Sequence, residues 1–101
     1  MAQWYVYMMS NRAHTLYTGM TDDLRKRVRE HKERTFVNAF TARYTFDRMV
    51  YYEPAADRKA AALSEKRIKN WPRAKRVALI QSANPNWDDL SARFDSARWF
   101  R

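Results

Sequence analysis

Three short apolar runs alternate with charged stretches along the chain. The runs "WYVYMM" at 4–9, "TLYTG" at 15–19 and "RMVYYE" at 48–53 are rich in aromatic and β-branched residues, which predicts strands. Only a short polar stretch separates the first two runs, so we expect those strands to pair antiparallel. Pro54 is expected to end the third strand.

The first charged stretch has the spacing of a helix. Thr21 and Asp22 offer oxygens that can cap a helix over about 22–33, and acidic side chains at its start suit the helix dipole. Residues 34–46 lack a clean period, and a turn or a short helix is expected there.

The second charged stretch predicts two further helices. Residues 56–71 are rich in alanine and long side chains, and Pro72 suits the first position of another helix over 73–83. The order β-β-α-β-α-α predicts an α+β fold with one small antiparallel sheet covered by helices. We expect one domain over 1–90, with 91–101 as a C-terminal tail that can pack on it.

Composition narrows the classes of function. The 101 residues include no cysteine, which excludes disulfides and thiolate sites and fits a cytoplasmic protein. Two histidines are too few for a histidine-rich metal site, so a metal would need carboxylate oxygen and water. No apolar run is long enough to span a membrane. The net charge of +9, with a pI near 10.3, favours a polyanionic partner, nucleic acid first.

Gly19 is the only glycine of the chain. It lies where the second predicted strand gives way to the first predicted helix. Glycine permits a positive φ, or the close approach of a neighbour or ligand to the backbone. A strand-end turn and a functional site both remain open as explanations.

The first predicted helix has two different faces. Leu24, Val28 and His31 fall on one apolar stripe, and Arg27 borders that stripe. The far side carries the other charged residues: Arg25, Lys26, Arg29 and Glu30. Arg27 is therefore expected to face something held between helix and sheet, or to extend along the helix edge, whereas the far side is expected to be solvated. A packed, hydrogen-bonded histidine is the simplest expectation for His31.

Tyrosines and one glutamate are further candidates. Tyr5 and Tyr7 share a face of the first strand, and Tyr17 lies nearby if the first two strands pair. Such tyrosines usually belong to the core, but a phenol can also position water or take a proton. Glu65 borders an apolar stripe in the second long helix, and an exposed i,i+4 ion pair with Lys69 is its simplest explanation.

These residues together resemble a known family. The segment "VYMMSNRAHTLYTGMTDDLRKRVREH" is similar to the opening of the GIY-YIG nuclease domain. The segment "FTARYTFDRMVYYEPAADRKAAALSEKRIKNWPRAKRVALIQSANPNWDDL" is similar to the rest of its small stand-alone bacterial members. The resemblance covers about residues 3–90. It implies a three-stranded antiparallel sheet flanked by helices that cuts DNA with one divalent ion, Mg²⁺ or Mn²⁺.

The resemblance also implies a set of site residues. By position in the motifs these are Tyr7, Tyr17, Gly19, Arg27, His31 and Glu65. In the family the arginine stabilises charge on the scissile phosphate and the glutamate holds the metal ion. Tyr7, Tyr17 or His31 can accept the proton of the attacking water, and the sequence does not choose among them. Gly19 is expected to be retained because the passage from sheet to helix borders the active site.

Two positions depart from the family pattern. The first triplet reads Tyr5-Val6-Tyr7 and lacks its leading glycine, and the second, Tyr17-Thr18-Gly19, has threonine in place of isoleucine. We therefore carry two main hypotheses of function, beside a third and weaker one, a partner-binding domain that uses Trp71, Trp87 and Trp99. The first is a metal-dependent endonuclease in DNA repair or processing, selective for DNA structure rather than sequence, with a possible protein partner for targeting. The alternative is a non-catalytic nucleic-acid-binding module on the same fold.

Both hypotheses need side chains that contact backbone phosphates. The candidates for these contacts are Arg25, Lys26, Arg29, Arg43, Lys66 and Lys69.

Overall fold

The computed structural model describes residues 2–33 and 46–95. The turn or short helix expected for 34–46 lies outside the described residues, except for Phe46, and Arg43 lies outside them too. The same holds for residues 96–101 at the end of the expected tail. No helix in the described ranges has the length and apolar character needed to cross a membrane.

The described chain forms three strands and four helices. The strands are Trp4–Ser10 (β1), Leu16–Thr21 (β2) and Arg48–Ala55 (β3). The helices are Leu24–Glu33 (α1), Arg58–Lys69 (α2), Arg73–Ala83 (α3) and Ala92–Asp95 (α4). This order confirms the predicted α+β fold with an antiparallel sheet, and adds the short α4.

The strand order of the sheet is β2-β1-β3, so β1 is central and both of its neighbours run antiparallel to it. Tyr7, in the middle of β1, lies opposite Gly19 of β2 on one side and opposite Tyr52 of β3 on the other. An irregularity between Met8 and Met9 shifts the register with β3. Tyr7 therefore occupies the centre of the sheet.

Three local expectations were wrong. β2 continues to Thr21, so Gly19 lies inside a strand rather than at its end, and its φ is not positive. β3 continues through Pro54 to Ala55, because β3 is an edge strand where a residue without an N–H is tolerated. Pro72 is the N-cap of α3 rather than its first helical residue.

Helices cover both faces of the sheet. Side chains alternate along β1, so Val6 and Met8 point to one face, and Tyr7 and Met9 to the other. The first face packs against residues of α2 and α3: Ala61, Ile68 and Ile80. The second face packs against Leu24 and Val28 of α1 and against Phe46. The sheet thus separates an α1 layer from an α2–α3 layer.

Asp89 attaches the segment after α3 to the rest of the fold. Its Oδ1 accepts hydrogen bonds from the backbone N–H of Met49 (3.0 Å) and from the N–H and Oγ of Ser91 (3.0 and 2.7 Å). Its Oδ2 accepts one from Nζ of Lys32 on α1 (2.8 Å). Burial alone would raise the pKa of Asp89, but the hydrogen bonds from Lys32, Ser91 and Met49 outweigh it and lower that pKa. α4 packs against α1 directly after this network.

Candidate active site

The candidate site is built around the Tyr7 phenol. Tyr7 is completely buried, and its Oη lies 3.1 Å from Nε2 of His31 on α1. His31 is itself only 4% exposed, because it lies on the stripe of α1 that faces the sheet. The central strand and the α1 layer are therefore joined by a buried hydrogen bond between a tyrosine and a histidine.

Gly19 makes room for this phenol. A Cβ atom at Gly19 would lie 2.6 Å from Oη of Tyr7, 2.7 Å from its Cζ and 3.0 Å from its Cε1. The Tyr7 ring thus crosses the backbone of β2 at its glycine. Of the two explanations of Gly19 considered from the sequence, the structure shows the close approach of a neighbour and not a turn. The approaching group is the Tyr7 ring. The sequence could not show this, because the pairing of Tyr7 with Gly19 is a tertiary feature.

Tyr17 completes an aromatic cluster on the same face. Its ring centroid lies 5.2 Å from that of His31, 6.3 Å from that of Tyr7 and 5.8 Å from that of Phe46. Tyr17 is half-buried, whereas Tyr7 and His31 are buried. Tyr5 packs edge-on against Tyr52, and both border the same core cluster as Tyr7.

Arg27 lies beside the cluster on α1. Its side chain is half-buried, and its Nε lies 3.2 Å from Oε1 of Glu30. Sequence reasoning placed Glu30 on the solvated side and missed this partner, although an i,i+3 pair of opposite charges on a helix is a recognisable signal. The charge of Arg27 also acts on Tyr7 and on His31.

The protonation states of the buried pair follow from these surroundings. Burial raises the pKa of Tyr7 far above its ordinary value of 10, and Tyr17 and Glu65 raise it further, while Arg27 acts in the opposite direction. Burial and then the charge of Arg27 lower the pKa of His31 from 6.5 to about 4. Near neutral pH the hydrogen bond therefore joins a protonated phenol to a neutral imidazole.

Glu65 approaches the site from the other layer. It lies on α2 with a largely buried side chain, 23% exposed, and its Oε2 lies 3.5 Å from Nζ of Lys69, which is 51% exposed. The ion pair expected from their spacing is therefore present. The negative charge of Glu65 nevertheless acts on Tyr7. The Tyr7 phenol thus responds both to a cation on α1 and to a carboxylate on α2.

The donor set limits the kind of metal site that fits. The described residues contain no group of three or more histidine, aspartate or glutamate side chains that could enclose an ion. Glu65 supplies a carboxylate whose charge acts on Tyr7. Mg²⁺ commonly binds through one or two carboxylates, several waters and substrate phosphate oxygens. A divalent ion that shares its ligands with water and a phosphate therefore fits this chain.

The basic side chains expected to contact phosphates have different surroundings. Those exposed to solvent are Lys26 and Arg29 on α1, and Lys66 and Lys69 on α2. Arg25 was expected on a solvated face, but it is half-buried, and its Nε and one terminal nitrogen are inaccessible. A helical wheel of α1 could not show this, because the burial of a side chain depends on contacts outside its own helix.

The family described as the GIY-YIG catalytic domain matches residues 3–78. The UPF0213 protein DP2720 of Desulfotalea psychrophila is 33% identical over 91 residues, which cover 86% of this chain and 79% of the relative. The UPF0213 protein CPE1444 of Clostridium perfringens is 34% identical over 82 residues, covering 77% of this chain and 83% of the relative.

A solved structure has the same fold. The solution NMR structure of the UPF0213 protein BH0048 from Bacillus halodurans superposes with a TM-score of 0.55 and 22% sequence identity. The match covers 89% of this chain and 95% of that protein. It supports the α+β architecture with a three-stranded antiparallel sheet.

Proposed function

Because the chain belongs to the family of GIY-YIG catalytic domains, we propose that it is a metal-dependent endonuclease that hydrolyses DNA phosphodiester bonds. The observation that carries this proposal is the position of Tyr7. Its phenol is hydrogen-bonded to His31 and lies within the fields of Arg27 from one helical layer and Glu65 from the other. A structural tyrosine in a core does not need a cation, a carboxylate and a histidine gathered around it.

We propose that Arg27 binds the scissile phosphate. A guanidinium offers planar donors that match phosphate oxygens, and such donors stabilise the charge that develops during hydrolysis. In the free protein Glu30 forms an ion pair with Nε of this guanidinium. A phosphate that binds at Arg27 competes with Glu30 for the same donors, so Glu30 holds the side chain in place until DNA arrives.

We propose that the aromatic cluster accepts the proton of the attacking water. Tyr17 is half-buried and meets the water, while Tyr7 and His31 are buried behind it. His31 is the proton acceptor of the cluster, because a neutral imidazole accepts a proton at far lower cost than a phenol does. A phosphate at Arg27 offsets the charge that lowers the pKa of His31, so DNA binding makes this histidine a better acceptor.

Glu65 is the residue that we assign to the metal. An Mg²⁺ or Mn²⁺ ion bound there supplies positive charge for the phosphate and the leaving oxygen. Lys69 is the present partner of Glu65 and is half-exposed, so it can turn away to solvent.

The biological setting is part of the proposal. The exposed lysines and arginines contact phosphates, which carry no sequence information, so we propose selectivity for DNA structure rather than sequence. We place the activity in DNA repair or processing in a bacterial cytoplasm, with a protein partner for targeting. The bacterial sources of the relatives support this setting.

A nicking assay tests the proposal. Purified protein is incubated with supercoiled plasmid and with a branched DNA junction, with Mg²⁺, with Mn²⁺ or with EDTA, beside Arg27→Ala and Glu65→Ala. The expected result is metal-dependent nicking that both substitutions abolish. Salt-sensitive DNA binding without any cleavage by the wild type would favour the non-catalytic binding module. Cleavage that survives both substitutions would overturn the assignment of the site.

A further inference from the structure

The positive charge of the chain is concentrated on α2 and α3. Residues 58–76 contain eight lysines and arginines and a single carboxylate, Glu65. The net charge of this segment is therefore +7, against +9 for the whole chain. We call these eight side chains the α2–α3 basic surface.

This surface is open to solvent and largely unneutralised. Seven of its eight cations are exposed, and the eighth, Arg76, is half-buried. Within the described residues the only ion pair that involves the surface joins Lys69 to Glu65. The remaining contacts are to neutral groups, such as Lys75 over the ring of Trp71 at 4.2 Å. Self-repulsion among like charges disfavours such a surface unless an anion binds to it.

Helix stability does not explain the cations of α3. Cations stabilise the last turn of a helix, which accounts for part of the charge on α2. In the first turn of a helix they are unfavourable, yet Arg73, Lys75 and Arg76 all lie at the start of α3. That turn contains no acidic residue, and its N-cap, Pro72, makes no side-chain capping bond. These three side chains thus oppose the local dipole, and for the two that are exposed, Arg73 and Lys75, this points to a use outside the fold.

We propose that the α2–α3 basic surface binds the phosphate backbone of the DNA duplex that flanks the cleavage position. The inference rests on the proposed endonuclease function and adds the path of the substrate. Lys69 contacts Glu65, so the surface begins at the candidate site and continues into α3. The twelve residues of α2 span about 18 Å. A duplex presents one phosphate charge per about 1.7 Å, so this length faces several phosphates. The surface supplies affinity and orientation, and the α1 layer supplies the chemistry.

The experiment measures binding without cleavage. Affinity for a 20-base-pair duplex is measured by fluorescence anisotropy in EDTA between about 0.05 and 0.3 M salt. Screening of exposed charges changes over this range, since the Debye length is about 10 Å at 0.1 M salt. The test variant is Arg73→Gln/Lys75→Gln. The matched control, Arg12→Gln/Arg93→Gln, removes the same charge from two exposed arginines outside the surface. Thermal unfolding of each variant is recorded, and single-turnover cleavage is measured separately with Mg²⁺.

The test variant is expected to raise the Kd about ten- to thirtyfold near 0.15 M salt, and to reduce the slope of log K against log salt by about 1.8. Its Tm should not fall by more than the control's, because the cations removed from α3 oppose the helix dipole. Equal Kd values and slopes for the two variants would show that the α2–α3 basic surface does not bind the duplex, even if the wild type cleaves DNA. If the test variant loses affinity but the wild type does not cleave DNA, the surface binds DNA as proposed and the endonuclease function is wrong. A wild type that does not bind the duplex would overturn the proposed role of the surface.

Discussion

The two helical layers of this protein differ in how they use charge. Residues 22–33, which contain α1, carry five lysines and arginines against four aspartates and glutamates. Residues 58–76, which contain α2 and the start of α3, carry eight against one. The α1 layer pairs Arg27 with Glu30 and buries His31 against Tyr7, whereas most cations of the other layer face solvent.

In the proposed endonuclease, this difference separates two physical tasks. A group that stabilises a transition state must be held in one geometry, and the ion pair and buried hydrogen bond of the α1 layer provide that. A surface that binds a polyanion needs a high charge density more than an exact geometry. The α2–α3 basic surface has this charge density. Glu65 is the exception, since it belongs to the basic layer but acts on Tyr7.

The largest expected effect comes from changing geometry without changing charge. Arg27→Lys keeps the positive charge but loses the planar fork of donors, so cleavage should fall about 10²-fold or more while DNA affinity changes less than about twofold. Single-turnover cleavage and anisotropy measure the two effects. Arg12→Lys, in the exposed loop between β1 and β2, is the control. An affinity loss as large as the rate loss would show that Arg27 acts only as one more charge.

The buried histidine should make stability depend on pH. The pKa of His31 is about 4 in the folded protein and about 6.5 in the unfolded chain. Between these values the unfolded chain binds a proton that the folded protein does not. Stability from this group is therefore fully present above pH 6.5 and falls by up to about 3 kcal/mol as the pH drops through 4. Urea unfolding at pH 7.0, 5.5 and 4.5 measures the loss.

His31→Gln should remove most of that pH dependence, because the glutamine side chain does not titrate. His14→Gln is the matched control, since it removes the other histidine of the chain, which is exposed. If both substitutions leave the same slope of stability against pH, the burial of His31 does not cause it.

Gly19→Ala tests the close approach of Tyr7. The new Cβ would lie 2.6 Å from Oη, so the ring must move and its bond to His31 is lost. We expect a loss of about 1–3 kcal/mol in the free energy of unfolding and at least tenfold in cleavage. In a double-mutant cycle with Tyr7→Phe, the two losses of cleavage should not add, because both remove the same hydrogen bond. Additive losses would mean that Gly19 acts on another part of the site.

The smallest effect on cleavage is expected at Asp89, to which no role in the chemistry is assigned. Asp89→Asn removes the charge that accepts hydrogen bonds from Lys32, Ser91 and Met49. Unfolding free energy should fall by about 1–2 kcal/mol, with cleavage per folded molecule unchanged. Asp88→Asn is the control, because the hydrogen bonds of Asp88 are made by its backbone. Equal stabilities of the two variants would contradict the role given to Asp89.

The sequence alone predicted the structural features that depend on local hydrophobic periodicity. The strands, the three longer helices and their order follow from apolar patterns, and the stripe of α1 placed His31 on its buried face. It could not predict features set by partners distant in the chain. Pro54 stays in β3 because that strand lies at the edge of the sheet, which no local pattern reveals.

The same limit applies to the candidate site. The motif spacing identified the candidate residues, but the contact of Tyr7 with Gly19 and the field of Glu65 at Tyr7 depend on strand register and helix packing. Charge on α2 and α3 was visible in the sequence. Its concentration on one layer became informative only when the sheet was seen to separate that layer from α1.

The most direct test of the account is one measurement on three proteins. The single-turnover rate of DNA cleavage is recorded against protein concentration for the wild type, Arg27→Lys and Arg73→Gln/Lys75→Gln. The account predicts that Arg27→Lys lowers the plateau rate and leaves the half-saturating concentration unchanged. It predicts that the double variant raises the half-saturating concentration about tenfold or more and keeps the plateau. If both proteins change both parameters together, chemistry and affinity are not divided between the two layers.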